Sequence, residues 1–140
     1  MPQFDDHAHS AAPPEEVWKL LYDPTRFTEW WVGVETVEPH TDGYTMYPAG
    51  YPDFPMPQQL RTEREDRRVV ISCLVSNLRF DWRLIPGADG ASTEIEVHVE
   101  IPSAESARLA GQRDTIHRSL RNLAELAATD RPREASPFNV

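Results

Sequence analysis

Apolar positions recur along this chain with two different periods, and the change from one to the other divides it. Up to about residue 101 the period is mostly two, the signature of half-buried strands; after it the steps are three and four, the signature of a helix. Phe4 to Ala11 reads as a short strand with Phe4, Ala8 and Ser10 facing inward. Pro13-Pro14-Glu15-Glu16 then opens a helix, because proline suits a first turn and carboxylates suit the positive end of the dipole. Val17, Trp18, Leu20 and Leu21 form its apolar stripe, and Asp23-Pro24 ends it and starts a second short helix through Phe27 to Trp30.

Six strands are predicted next. Trp31–Glu38 is followed by a turn at Asp42-Gly43 and by Tyr44–Pro48. Met56–Glu65 sets Met56, Gln58, Leu60 and Thr62 against Gln59, Arg61 and Glu63, and Arg68–Val75 is rich in β-branched residues. Asn77–Ile85 puts Leu78, Phe80, Trp82 and Leu84 on one face, and Pro86–Gly90 turns the chain into Thr93–Ile101, where Ile95, Val97, Val99 and Ile101 alternate with Glu94, Glu96, His98 and Glu100. From Ser103, a plausible N-cap with Glu105 in the first turn, Leu109, Ile116, Leu120, Leu123 and Ala127 predict one helix of about 25 residues.

Each clearly alternating strand has one apolar face, and such a sheet needs a cover. The C-terminal helix is the only element long enough. The expected fold is therefore α+β: a curved antiparallel sheet of about seven strands around a long C-terminal helix, with two short helices after the first strand. A single helix is only ~10 Å wide and cannot fill a curved sheet, so a cavity is expected between them. Parity places Met46, Met56, Gln58, Leu60, Phe80, Trp82, Gln112 and Ile116 along it, toward the helix's N-terminal half, and Trp31 is placed to approach a ligand.

Length and charge narrow the function. The 140 residues fit one domain over residues 1–129, with a flexible tail at 130–140. A net charge of -9, with basic residues spread thinly, opposes binding to a nucleic-acid backbone. The single cysteine, Cys73, rules out an internal disulfide. No run approaches the ~18 apolar residues of a membrane span and no signal peptide is expected, so the protein is expected in the cytoplasm. A homodimer is compatible with the pattern.

The segment Ala12-Pro13-Pro14-Glu15-Glu16-Val17-Trp18, with Leu20-Leu21, Asp23-Pro24 and Phe27-Thr28-Glu29-Trp30, resembles the opening signature of the START-like, Bet v 1-like superfamily. It looks most like the polyketide cyclase/dehydrase and lipid-transport branch. The double tryptophan Trp30-Trp31 is also similar to one in the homologues of the Hsp90 ATPase activator. The resemblance implies a helix-grip fold over residues 3 to 129 and an internal cavity. The polar constellation of the aromatase/cyclases does not map onto this sequence residue by residue.

The candidate chemistry is sparse. Tyr44, Met46, Tyr47, Tyr51, Phe54 and Met56, set among four prolines, read either as an aromatic gate over an apolar pocket or as a hairpin tip packed on itself. Gln58 and Thr62 lie on an apolar strand face, and there either meet a ligand or water or mark a solvated strand end. Gln112 or Arg113 interrupts the helix stripe. Asp5, His7, His9 and His98 invite a metal reading, but His7 and His9 fall on the outward face, so no metal site is expected. Cys73 reads as a buried thiol without a paired base. No Gly-rich phosphate loop or nucleophile elbow is present, and no cofactor is expected. Tyr44, Tyr51, Asp53 and Arg113 are the acid/base candidates for an enzyme. The leading expectation is binding of a hydrophobic small molecule, a lipid or a polyketide-like aromatic. The alternatives are a cyclase or dehydratase acting on a poly-ketone, and a protein-interaction module like the Hsp90-activator homologues.

Overall fold

A computed structural model describes residues 2–129, so the segment expected as a tail at 130–140 lies outside the described residues. Seven strands run β1 Gln3–Ser10, β2 Val34–His40, β3 Gly43–Pro48, β4 Met56–Glu63, β5 Arg68–Cys73, β6 Arg79–Pro86 and β7 Thr93–Glu100. They form one antiparallel sheet in the order β1-β7-β6-β5-β4-β3-β2. The helix α1 (Pro14–Leu21) and a 3-10 helix (Pro24–Glu29) follow β1, and α2 (Leu109–Thr129) closes the described chain. This is the helix-grip fold anticipated from the alternation of the strands.

Parity explains the core. Phe80, Trp82 and Leu84 of β6, and Ile95, Val97 and Val99 of β7, are buried on the concave face with Ile116, Leu120 and Leu123 of α2. α1 holds Pro14 at its first position, Glu15 and Glu16 in its first turn, and buries Val17, Trp18, Leu20 and Leu21. Phe27 and Trp30 pack edge-on at 5.4 Å between ring centroids, and Trp30 meets Trp82 at 5.3 Å. Phe27 and Trp30 are thus core aromatics that seat the short helices on the sheet. Two buried hydroxyls tie elements together: Ser10 Oγ donates to Ala124 O at 2.8 Å and Thr93 Oγ1 to Ala12 O at 2.8 Å.

Two elements begin three or more residues later than the sequence reading places them. The C-terminal segment is not one helix from Ser103. Residues Ser103–Arg108 form a 3-10 helix with a non-helical Glu105, and the residue capping it is Pro102, which has no side-chain hydrogen bond to give. None of those six residues is buried, so nothing anchors a regular α-turn before Leu109. Likewise β2 begins at Val34 rather than at Trp31. Trp31 N–H donates to Phe27 O at 2.8 Å and Val34 N–H to Trp31 O at 3.2 Å, so Trp31–Gly33 is a turn, completed by Gly33 at φ +91°.

Candidate functional site

α2 grips one side of the sheet and leaves the other hollow. α2 packs closest on β1 and α1, its buried stripe joining the common core, whereas its first turns present Gln112 and Thr115 to the cavity. Beneath them a cavity of about 200 Å³ lies over β3, β4, β5 and β6. The Trp31–Val34 segment forms its near wall. Val32 N–H donates to Ser119 Oγ at 2.9 Å, Ser119 Oγ donates to Thr115 O at 2.7 Å, and Asn122 Nδ2 donates to Trp30 O at 3.2 Å. These bonds strap the aromatic segment to α2, and Trp31 stacks on Trp30 and meets Phe80 edge-on at 5.2 Å.

The wall is largely apolar, with Met46, Met56, Leu78 and Phe80 beside Trp31. A polar row crosses it. Tyr44 pairs with Gln58 and Gln58 with Cys73 in register, so the three side chains sit side by side on neighbouring strands. The approach of β3 to β4 here is close: a Cβ on Gly43 would fall 1.9 Å from Gln58 O. Gln58 Nε2 donates to Met56 O at 3.2 Å. Tyr44 is only 3% exposed as a residue, and its hydroxyl, on the cavity wall, hydrogen-bonds no described residue. Burial, reinforced by the nearby Cys73 sulfur, drives its pKa far above the ordinary phenol value, so it stays a neutral donor.

Cys73 closes the row. Its residue ends β5, and the tight turn that follows, with Asn77 in the left-handed region at φ +62°, folds the Val75-Ser76 backbone over the sulfur. Ser76 N–H donates to Sγ at 3.5 Å. Burial pushes the thiol's pKa up, but hydrogen bonds from Ser76, Val75 and Gln58 outweigh it and hold the thiol below its ordinary value.

A larger depression of about 490 Å³ lies on the convex face, lined by charged residues including Asp5, His7, Asp81, Arg83 and His98. Much of its charge is paired internally. Asp81 accepts from Arg68 Nε at 3.0 Å and Nη2 at 2.8 Å; burial pushes its carboxyl up, but Arg68 and Arg83 hold it below the usual range. The hydrogen bond to Asp5, assisted by Glu100, raises His98 above the ordinary imidazole value despite partial burial. The concave cavity, with apolar walls and a Tyr44 hydroxyl that no described residue engages, is the better candidate for a site.

The family profile described as polyketide cyclase/dehydrase and lipid transport matches residues 1–128. The chain belongs to this family. No curated protein matches the sequence. Among solved structures, a protein of Nitrosospira multiformis superposes with a TM-score of 0.74 at 17% identity, covering 92% of this chain and 98% of that one. XoxI of Bacillus cereus gives 0.73 at 13%, covering 89% and 94%. The di-domain aromatase/cyclase BexL of the BE-7585A biosynthetic pathway gives 0.72 at 16%, covering 89% of this chain and 46% of its own. At such identities the likeness is one of fold.

Against this family fold the residues singled out from sequence separate clearly. Trp31, Met46, Met56, Gln58, Phe80 and Gln112 line the cavity. Trp82 and Ile116 do not: both are fully buried in the core, Trp82 against the rings of Trp30 and Trp31. Leu60 is half-buried beyond the cavity's end, and Thr62 is exposed, so that end of β4 is solvated. Of the acid/base candidates only Tyr44 faces the cavity. Tyr51 is 65% exposed and Asp53 exposed in the β3–β4 loop, and Arg113 lies outside, its guanidinium 5.5 Å over the Phe4 ring. Of the segment read as a gate, Tyr44, Met46 and Met56 are wall, while Tyr51 and Phe54 are exposed at the same sheet end as the exposed Leu74 and Val75. His7 and His9 face outward, and His9 pairs with Glu94. Sequence reasoning read Cys73 as a buried thiol, as it is, but did not place it on the cavity wall, and it missed Ser76. Extending parity along β5 would have placed the first, since Val69, Ile71 and Cys73 alternate inward.

Proposed function

We propose that this protein binds a small, mostly apolar molecule carrying at least one hydrogen-bond-accepting oxygen in the cavity between α2 and β3–β6. The observation that carries this reading is Tyr44, a buried residue of the cavity wall whose neutral hydroxyl hydrogen-bonds no described residue, beside the amide of Gln58. A ligand oxygen that accepts from this hydroxyl in an apolar cleft contributes roughly 0.5–1.5 kcal/mol net. The cavity's 200 Å³ is below the ~300–1,000 Å³ of common ligand sites, so it suits a compact ring system or one end of a longer chain.

Binding is favoured over acid–base catalysis because the described wall includes no carboxylate or imidazole. A cyclase or dehydratase would need paired acid and base groups, and here Tyr44 is held far above the neutral range while the Cys73 thiol has no carboxylate or imidazole beside it in the described wall. Native mass spectrometry of the protein purified from its own host tests the proposal. The expected result is a stoichiometric, oxygen-containing small molecule carried by the native chain. Turnover of a poly-ketone by the purified chain would instead establish the cyclase reading.

A further inference from the structure

We propose that Cys73 captures apolar α,β-unsaturated ketones by conjugate addition, with the Tyr44 hydroxyl hydrogen-bonded to the ketone oxygen. This rests on the cavity being the ligand site and assigns the ligand's chemical class. Three independent features converge on it. Cys73 belongs to the cavity wall yet is only 4% exposed as a residue, so reagents meet its sulfur through the cavity. The turn after β5 aims backbone N–H groups at the sulfur, Ser76 N–H at 3.5 Å, an arrangement suited to a thiolate. Two strands away, Tyr44 is 97% buried by the same measure, lines the same cavity and has a hydroxyl bonded to no described residue. A soft nucleophile and a neutral donor in one apolar cleft match the two ends of an enone, whose β-carbon is electrophilic and whose oxygen gathers the charge.

The step balances without a further reactant. The sulfur lone pair forms a bond to the β-carbon, the C=C π pair shifts toward the carbonyl, and the resulting enolate oxygen accepts from Tyr44 Oη. The proton given up by the thiol returns to the α-carbon, so the adduct is the sum of its parts and the reverse step is elimination. No separate base is required once N–H donors hold the thiolate, which accounts for a nucleophile that has no histidine beside it. Cys73 is the sole cysteine of the sequence, so no second thiol in the chain competes for the adduct.

The test uses the full chain, 2-cyclohexen-1-one as probe and intact-mass spectrometry with peptide mapping. One equivalent should add at Cys73, at least about tenfold faster at pH 7 than to N-acetylcysteine. Tyr44→Phe, which keeps the ring and its packing, should slow enone addition about tenfold while changing the reaction with methyl methanethiosulfonate, which has no carbonyl, by less than about twofold. Addition no faster than to N-acetylcysteine, or equal slowing of both reagents by Tyr44→Phe, or no slowing of either, overturns the inference. The non-electrophilic ketone 1-tetralone separates the two levels. Protection of Cys73 from methyl methanethiosulfonate by 1-tetralone without enone addition leaves the cavity as a ligand site and sinks only the covalent step. Absence of both protection and addition sinks both.

Discussion

Met46→Trp should plug the cavity. Met46 stands on β3 with its side chain in the wall, two residues from Tyr44 and on the same face. At ~24 cal/mol per Å³, filling a 200 Å³ hollow with an apolar ligand is worth about 5 kcal/mol, a dissociation constant of a few hundred micromolar. One hydrogen bond each from Tyr44 and Gln58, at ~1 kcal/mol, brings a ketone such as 1-tetralone to roughly ten micromolar. Its hydrocarbon counterpart tetralin should bind several-fold to about thirtyfold more weakly, the difference being those bonds. Calorimetry gives the affinities, and fluorescence of the wall residue Trp31 gives an independent readout. Met46→Trp should weaken both ligands at least about tenfold, whereas Tyr47→Trp, on the opposite face of the same strand, should leave them unchanged. A folded Met46→Trp variant with wild-type affinity would place the ligand elsewhere and refute the assignment.

Three further outcomes follow from particular bonds. Ser119→Ala removes the hydroxyl that accepts from Val32 N–H and should destabilise the protein by about 1–3 kcal/mol in urea titrations while weakening ligand affinity, because the Trp31 wall loses its strap. Gly43→Ala forces a Cβ into Gln58 O and should shift β3 from β4, lowering the melting temperature and displacing Tyr44 from the cavity; a neutral effect would show the β3–β4 spacing to be slack. His98, raised above its ordinary 6.5 by Asp5 and Glu100, contributes stability that is full below that value and is lost as pH rises through the folded-state value. Relative to His98→Gln, the wild type should therefore lose up to about 1 kcal/mol between pH 6 and 8, the small size reflecting a one-third-exposed, screened site.

The parts of the fold that alternation encodes were readable in advance. β6 and β7 each bury one parity class, as Phe80, Trp82, Val97 and Val99 do, because a sheet covered on one face admits no other register. The helix start was not readable, since Ser103 to Arg108 carries helix-favouring residues yet touches no core, and packing rather than propensity decides such segments. Parity also located one side of the cavity but not its depth. It assigned Trp82 and Ile116 to the wall together with Phe80 and Gln112, although all four lie on inward faces and only the latter pair reaches the hollow. Depth depends on where α2 sits over the sheet, and hydrophobic periodicity does not carry that information. Cys73 was legible as a buried thiol but not as part of the cavity, for a related reason: the turn that directs N–H groups at its sulfur is tertiary geometry, invisible in a lone cysteine.

Gln58 decides whether the polar row is structural or serves a ligand. A structural amide would be locked by hydrogen bonds on both its ends, and replacing it would leave a neighbour unsatisfied. Here the carboxamide donates to Met56 O at 3.2 Å, a backbone group on its own strand two residues away, and its remaining capacity faces Cys73 and the hollow. Leucine at this position would keep the volume of an inward side chain on a strand flanked by Met56 and Ile71. Gln58→Leu should therefore keep or raise the stability of the ligand-free protein by up to about 1 kcal/mol, because a partly satisfied buried amide is exchanged for an apolar group. The same change should weaken 1-tetralone about fivefold, the loss of one ~1 kcal/mol bond, and leave tetralin untouched. Loss of stability with unchanged ketone affinity would show instead that the row exists to hold β3, β4 and β5 in register, and the oxygen-bearing ligand would have to be abandoned.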